Sequence, residues 1–475
     1  MNKFNVLDLW YSSPLVTLVV TGLVLLVLEG FRRKSQRMAF GVSAAGIIIA
    51  IGLTIVTYGE NQPAFNNTFL QGTFGSFFSF VFLAAGLLSL ILSREYLERL
   101  NIHRTEYYAL VIFAIVGMML MASAIDLVVL FLGVELMSLC LYVLAGFMRT
   151  RVTSNESALK YFLLGAFVTG FLLYGIALLY GTTGTTNLVT IGKNFEAYSG
   201  NAVFLLGVGM VMMGLSFKIA AAPFHLWAPD VYEGAPTSVT GFMSTAAKAA
   251  AFAAFITVFL RTFEFAGTKV SEILAILAAV SMMIGNIAAI AQNNVKRMLA
   301  YSSVAHAGYM LTGIAAGNEE GQIGIMFYLA AYVFMNLGAF SIVSLVEGQN
   351  DTRLSFDDYS GLSKQQPLLA ALMSVFMFSL AGIPPLAGFF GKYYVFLAAV
   401  KADLTWLAIL GVLTSLISVY YYLRLVVLMY FRDGEAQVAA KPSLGTIVAI
   451  SLAAFLVLQL GLYPSLVVNI ARGGF

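Results

Sequence analysis

Charge is what this sequence has least of. Only 10% of its 475 residues are Asp, Glu, Lys or Arg, against roughly a quarter in a soluble globular chain. With 26 basic and 23 acidic side chains there is too little charge to coat a water-facing surface. Cysteine is almost missing. Cys140 stands alone, which excludes internal disulfides, cysteine-ligated iron–sulfur clusters and thiolate zinc sites. Three histidines, His103, His225 and His306, are too scattered to spell a metal motif. A net charge of +3, with no basic cluster interleaved with aromatics, argues against nucleic acid as a partner. There is no linker, low-complexity stretch, lipidation motif or soluble domain in the pattern.

What is there is apolar: 60% hydrophobic and 13% aromatic residues, with a mean hydropathy of +0.89. This predicts an all-α polytopic membrane protein. A helix needs about 20 apolar residues to cross the hydrocarbon layer. Fourteen candidate spans lie near 12–30, 39–58, 72–93, 105–121, 124–148, 158–180, 200–232, 236–261, 270–290, 298–316, 322–346, 367–400, 404–431 and 443–465. The first is followed by Arg32-Arg33-Lys34 rather than a small-residue cleavage site, so it is read as a retained helix. Orientation follows from the basic residues between spans. One side collects Arg32, Arg33, Lys34, Arg37, Arg94, Arg99, Arg104, Arg149, Arg151, Lys296, Arg297, Arg353, Lys364, Arg432 and Lys441. The other holds only Lys3, Lys193, Arg261, Lys269, Lys401 and Arg472. The first side is expected to be cytoplasmic and both termini external, with 347–366 the longest polar cytoplasmic connection. Residues 1–475 are read as one membrane domain.

Two spans are too long. The segments 200–232 and 367–400 would each run roughly 50 Å as straight helix, and both carry prolines mid-span, at Pro223 and at Pro384-Pro385. Proline deletes a backbone donor and clashes with the carbonyl one turn back. Freed backbone at membrane depth survives only against protein or a water-filled cavity. A simple kink is the plain reading of either. Two breaks five spans apart fit transporters built from inverted repeats. The division would be three N-terminal helices (1–104), a first repeat (105–261), a second (270–431) and a C-terminal helix (443–475).

Few charges fall inside spans: Lys160, Lys218, Lys248, Lys392 and Arg424 among the bases, and Glu135 mid-span. Each costs about 2.5–3.5 kcal/mol at the bilayer centre on insertion scales. Arg424, Glu29 and Asp126 lie near span ends, where a structural role suffices, and Arg424 can snorkel. Lys160 is about one turn inside its helix, fit for an interfacial anchor or a cytoplasmic entry. Lys248 lies among small residues in GFMSTAAKAAAFAAF and cannot snorkel easily. Lys218 precedes Pro223, Lys392 follows Pro384-Pro385, and Glu135 has the depth to partner Lys218 or Lys248. Desolvation disfavours an ammonium and a nearby carboxylate favours it, so a lysine whose carboxylate partner moves can exchange protons. These residues fit a polar relay joined by water, with His225 and His306 as intermediates or, taken singly, as satisfied core histidines.

The runs FLGVELMSLCLYVLAGF, SALKYFLLGAF, GLSFKIAAAPFHLWAPDVYEGAPTSVTGFMSTAAKAAAF, NVKRMLAYSSVAHAGYML and SLAGIPPLAGFFGKYYVF resemble the antiporter-like subunits of respiratory complex I, the proton-pumping NADH:quinone oxidoreductase. The resemblance spans the chain in order. Within that family it is similar to the bacterial subunit N branch: the chain stops after the fourteenth span, Lys392 stands where another branch is expected to have glutamate, and Lys160 matches the branch's lysine. The resemblance implies proton translocation from cytoplasm to outside across a bacterial inner membrane, driven by quinone reduction in other subunits. It implies Glu135 and Lys218 as a pair, Lys248 as the connecting lysine, Lys392 on the outlet side and Lys160 at the input. Neighbouring membrane-arm subunits and lipids would be the partners. No flavin, iron–sulfur cluster or nicotinamide would bind this chain, and no redox centre would lie in it. The alternatives are an Mrp-type cation/proton antiporter subunit of the same fold and an inactive spacer.

Overall fold

Long apolar runs alternating with short polar connections become helices in the computed structural model. The structure describes residues 5–31, 36–263, 269–348, 352–439 and 442–473. Lys3, Arg32, Arg33, Lys34 and Lys441, counted above for orientation, lie outside the described residues. The first group of helices is α1 (Ser13–Phe31), α2 (Gln36–Val56), α3 (Gly72–Arg99), α4 (Thr105–Ser123), α5 (Leu127–Ala145) and α6 (Val152–Thr183). Then come α7 (Ala202–Lys218), α8 (Trp227–Gly234) and α9 (Thr237–Thr262). The second half holds α10 (Lys269–Ile290), α11 (Val295–Ala316), α12 (Glu319–Val346), α13 (Pro367–Ala381), α14 (Ala387–Lys401), α15 (Thr405–Phe431) and α16 (Leu444–Leu462).

Eleven helices among the described residues are long and apolar enough to cross a membrane: α1–α6, α9, α10, α12, α15 and α16. The remaining three expected spans rest on helices that miss those criteria. Both α7 and α13 are apolar but shorter, and α11, though 22 residues long, carries Lys296, Arg297 and His306.

Polarity is inverted relative to a soluble bundle. Val24, Leu139, Leu163, Leu416 and Phe455 are exposed, while Thr240, Ser281, Asn286, Ser303 and Asn336 are buried. Lipid solvates the apolar faces, and the polar side chains find partners inside. The helices α9 and α12 are almost wholly buried; α12 packs against α3, α9, α11, α13, α14 and α16. Close approach of helices requires missing side chains. A Cβ on Gly117 of α4 would sit 2.8 Å from the Gly133 carbonyl oxygen and 2.5 Å from the Met137 amide nitrogen of α5. Among the described residues of 347–366, Glu347, Leu354, Phe356, Tyr359 and Leu362 are buried.

Candidate functional site

Both overlong spans break where their prolines stand. The first half-helix, α7, ends at Lys218 and α8 begins at Trp227, while α13 ends at Ala381 and α14 begins at Ala387. Each break contains a left-handed residue, Ala220 (φ 58°) and Gly382 (φ 89°). The freed backbone is satisfied by protein, as burial demands. Ala222 N donates to Ser281 Oγ (2.8 Å), Trp227 Nε1 to the Phe217 carbonyl (3.0 Å) and Gly388 N to Ser379 Oγ (3.1 Å). A third irregularity flanks Lys248. The helix α9 is π-helical over Met243–Ala247 and again over Ile256–Thr262, the widened turns that recur at functional sites.

Lys218 lies at the C-terminal end of α7, buried against α5. Its Nζ donates to Ser138 Oγ (2.7 Å) and Tyr142 OH (3.3 Å) and sits 5.6 Å from the centre of the Tyr142 ring. Glu135, one turn before Ser138, is the carboxylate that acts electrostatically on Lys218. The two form no direct ion pair here, and Glu135 Oε1 is buried without a hydrogen-bond partner. The expected pairing is thus one of field rather than of contact, with Ser138 and Tyr142 holding the ammonium.

Lys248 is 1% exposed. Its Nζ donates to the Ser303 carbonyl (2.6 Å) and to Ser303 Oγ (2.9 Å) of α11. One turn further along α11, His306 bridges two hydroxyls, Nδ1 to Tyr328 OH (2.7 Å) and Nε2 to Tyr422 OH (3.0 Å). Tyr422 in turn bonds Ser302. Along α11, His306 lies three residues from Ser303, which holds Lys248, and three from Tyr309, whose ring faces Lys392. Lys392 closes the row. Its Nζ donates to Ser415 Oγ (2.8 Å) and to the carbonyls of Leu380 (3.0 Å) and Ala381 (2.9 Å), 5.1 Å from the centre of the Tyr309 ring. Tyr309 OH accepts from Asn286 Nδ2 (3.0 Å). Three buried ammonium groups without carboxylate contacts are thus linked to hydroxyls that can both give and take a proton. His225 is buried in the first break with Nδ1 unpartnered.

Lys160 lies nearer the basic-rich end of the bundle. It is half-buried and pairs with Glu156 Oε1 (2.7 Å) and Asp230 Oδ2 (2.8 Å). Asp230 Oδ1 accepts from Arg297 (2.8 Å), and Arg297 also pairs with Glu233 (2.6 Å). This network walls an open cavity of about 210 Å³. Sequence reasoning missed Asp230 and Glu233 and counted Arg297 as a loop charge. The i,i+4 spacing of Glu156 and Lys160 was the visible hint. Arg424 donates to the Gln292 carbonyl and Asn293 Oδ1 (both 3.2 Å), and Asp126 Oδ1 caps α5 through Val128 N (2.8 Å) and Val129 N (3.3 Å). Both hold structure. Lys296 and Glu347, also read as loop charges, are 0% and 1% exposed. Lys296 Nζ donates to the Ala235 carbonyl at 2.9 Å. Among the described residues no group of His, Cys, Asp and Glu could hold a metal ion.

Residues 124–418 match the family described as NADH:quinone oxidoreductase/Mrp antiporter, transmembrane. The NADH-quinone oxidoreductase subunit N of Trichlorobacter lovleyi is 46% identical over 99% of this chain and 97% of its own. Subunit N 1 of Chloroherpeton thalassium is 47% identical over 97% of each. Among solved structures, a chain of respiratory complex I from Thermus thermophilus superposes with a TM-score of 0.85 at 36% identity, covering 97% of this chain and 100% of that one. A chain of the Mrp complex from a Dietzia species has a TM-score of 0.87 over 99% of this chain and 97% of that one, at 20% identity, a likeness of fold alone.

Proposed function

We propose a proton-conducting role, starting from the fact that the chain belongs to the NADH-quinone oxidoreductase subunit N family of antiporter-like membrane subunits. The chain moves protons from cytoplasm to the external side as a membrane-arm subunit of complex I. It carries no redox centre of its own and is driven by quinone reduction in other subunits. The basic-rich face is cytoplasmic and the termini external. Lys160 stands at the intake, Glu135 and Lys218 form the first station, Lys248 the middle and Lys392 the outlet. Water joins the stations that no hydrogen bond links, with His225 a candidate between the first two.

The observation that carries this reading is the row of hydroxyls and imidazole between Lys248 and Lys392. Ser303, His306, Tyr422 and Tyr309 are buried and Ser415 is half-buried, and the bonds Lys248–Ser303, His306–Tyr422 and Lys392–Ser415 set along this row polar groups that a scaffold of packed apolar helices does not need. Two repeats, 105–261 and 270–431, follow from the matching breaks, each with a left-handed residue three positions before its proline.

The test is Lys218→Ala and Glu135→Ala in the assembled complex. Proton pumping and coupled quinone reductase activity are expected to fall while assembly persists. Normal pumping in either assembled variant would overturn the relay. Purification decides against the antiporter alternative: a particle lacking flavin and iron–sulfur absorbance removes the respiratory reading.

A further inference from the structure

The relay leaves one deeply buried carboxylate unused. Glu347, at the end of α12, is 1% exposed. Its Oε2 accepts from Thr237 Oγ1 (2.6 Å), while Oε1 lies 3.6 Å from Arg151 and accepts no hydrogen bond. Burying a carboxylate costs several kcal/mol even when it is paired, so an incompletely satisfied one calls for a reason.

Polar groups run inward from it. Beside Thr237 lies a small, half-open cavity of about 10 Å³, the room of a single water. Ser89, Ser238, Ser341 and Ser344 line it, and Ser89 Oγ is buried without a partner. Deeper, Asn336 Nδ2 donates to Ser244 Oγ and to Tyr332 OH, both at 3.0 Å. Asn336 Oδ1 is buried and unpartnered. The Tyr332 ring lies 5.2 Å from that of His306, one turn along α11 from Ser303, which holds Lys248. The file follows α12 from Glu347 to Tyr332, a descent of about 22 Å at the helical rise. Neither Glu135 nor Lys218 touches it.

We propose that Glu347 is the proton-loading group of a second intake, which feeds Lys248 through the Thr237 cavity, Asn336 and Tyr332. This deepens the relay above and rests on it. In each transfer a proton leaves one oxygen or nitrogen as the next arrives, so charge balances along the file. Two buried acceptors without partners, Ser89 Oγ and Asn336 Oδ1, one at the cavity wall and one just beyond it, are the atoms that an intervening water would satisfy.

The experiment compares Glu347→Gln, Asn336→Leu and Lys248→Met in membranes, with proton pumping normalised to assembled complex on a native gel. Glu347→Gln and Asn336→Leu are each expected to lower pumping by about tenfold, below the full contribution of a positioned proton-transfer group because one intake survives. Glu347→Asp is expected to restore part of it. Asn336→Leu leaves the contacts of Glu347 with Thr237 and Arg151 intact, so it decides the matter where Glu347→Gln does not assemble. Wild-type pumping in both, with pumping lost in Lys248→Met, overturns this intake and leaves the relay standing. Wild-type pumping in Lys248→Met overturns the relay, and the intake with it.

Discussion

Replacing Lys248 by methionine separates a proton carrier from a structural cation, because the two predict stability changes of different size. A lysine at the bilayer centre costs about 2.5–3.5 kcal/mol on insertion scales, and methionine of similar length removes that cost. Against the gain stand two hydrogen bonds to Ser303, each worth about 1.5–3 kcal/mol when the donor is charged. The loss is cushioned. Ser303 lies inside α11, where its carbonyl keeps a backbone amide one turn on as partner. The net change is expected to fall within about 2 kcal/mol of zero. Were Lys248 one arm of a buried ion pair, its removal would cost about 3–5 kcal/mol instead. Thermal unfolding of the purified complex, read beside proton pumping, distinguishes the cases. The expected result is an unshifted or higher Tm with pumping lost. A Tm lowered by several degrees with pumping intact would refute the reasoning and make Lys248 structural.

Two further outcomes follow from groups outside the relay. Asp126→Ala deletes the cap of α5 and the bond from Thr186 Oγ1 to Asp126 Oδ2 (2.6 Å), and is expected to cost about 1–2 kcal/mol, read as earlier inactivation on heating without a change in pumping per assembled complex. His103, buried in the connection between α3 and α4 with Nε2 bonded to Tyr108 OH (2.8 Å), is held below the usual imidazole range by burial, only partly offset by Glu98. The unfolded chain therefore binds the proton more readily, and stability rises with pH through this group. Its contribution is complete above about pH 6.5 and fades as pH falls toward the lower folded value. His103→Gln is expected to shrink the loss of Tm between neutral and mildly acid buffer. An unchanged loss would show that His103 is not its source.

Some of this arrangement was legible in residues, and the reason differs for each part. The breaks were legible because proline removes a donor wherever it stands, and Lys218, Lys248 and Lys392 because an ammonium inside an apolar run has no surface to reach. Span ends were not legible. Lys296 and Glu347 sit where a side chain ordinarily meets water, and their burial comes from the corner between α8 and α9. Its Ala235 carbonyl takes Lys296 and its Thr237 hydroxyl takes Glu347. Such a corner is assembled from residues more than fifty positions apart, so no local pattern announces it. The helix α11 was legible as the run 298–316 despite its polarity, and its buried serines, histidine and lysine face partners rather than lipid.

The broken helices also resolve an asymmetry in the chain. Lys218 precedes its proline by five residues, whereas Lys392 follows Pro385 by seven, so the lysines are not copies of one another. Register set from Ala220 and Gly382, each three residues before its proline, places Leu380 opposite Lys218 and Asp230 opposite Lys392. Yet Lys392 folds back across its break and donates to the carbonyls of Leu380 and Ala381. Its ammonium thereby occupies the end of α13 that corresponds to the Lys218 end of α7. Both ends are C-termini of half-helices, where unsatisfied carbonyls and the helix dipole favour a cation. What the two halves share is therefore a place for positive charge at the break, reached by one lysine from within the half-helix and by the other from beyond it. Asp230, freed from that task, instead binds Lys160 of the first half and Arg297 of the second on its two oxygens. It links Lys160 on α6 to the helix α11 that carries Ser303 and His306.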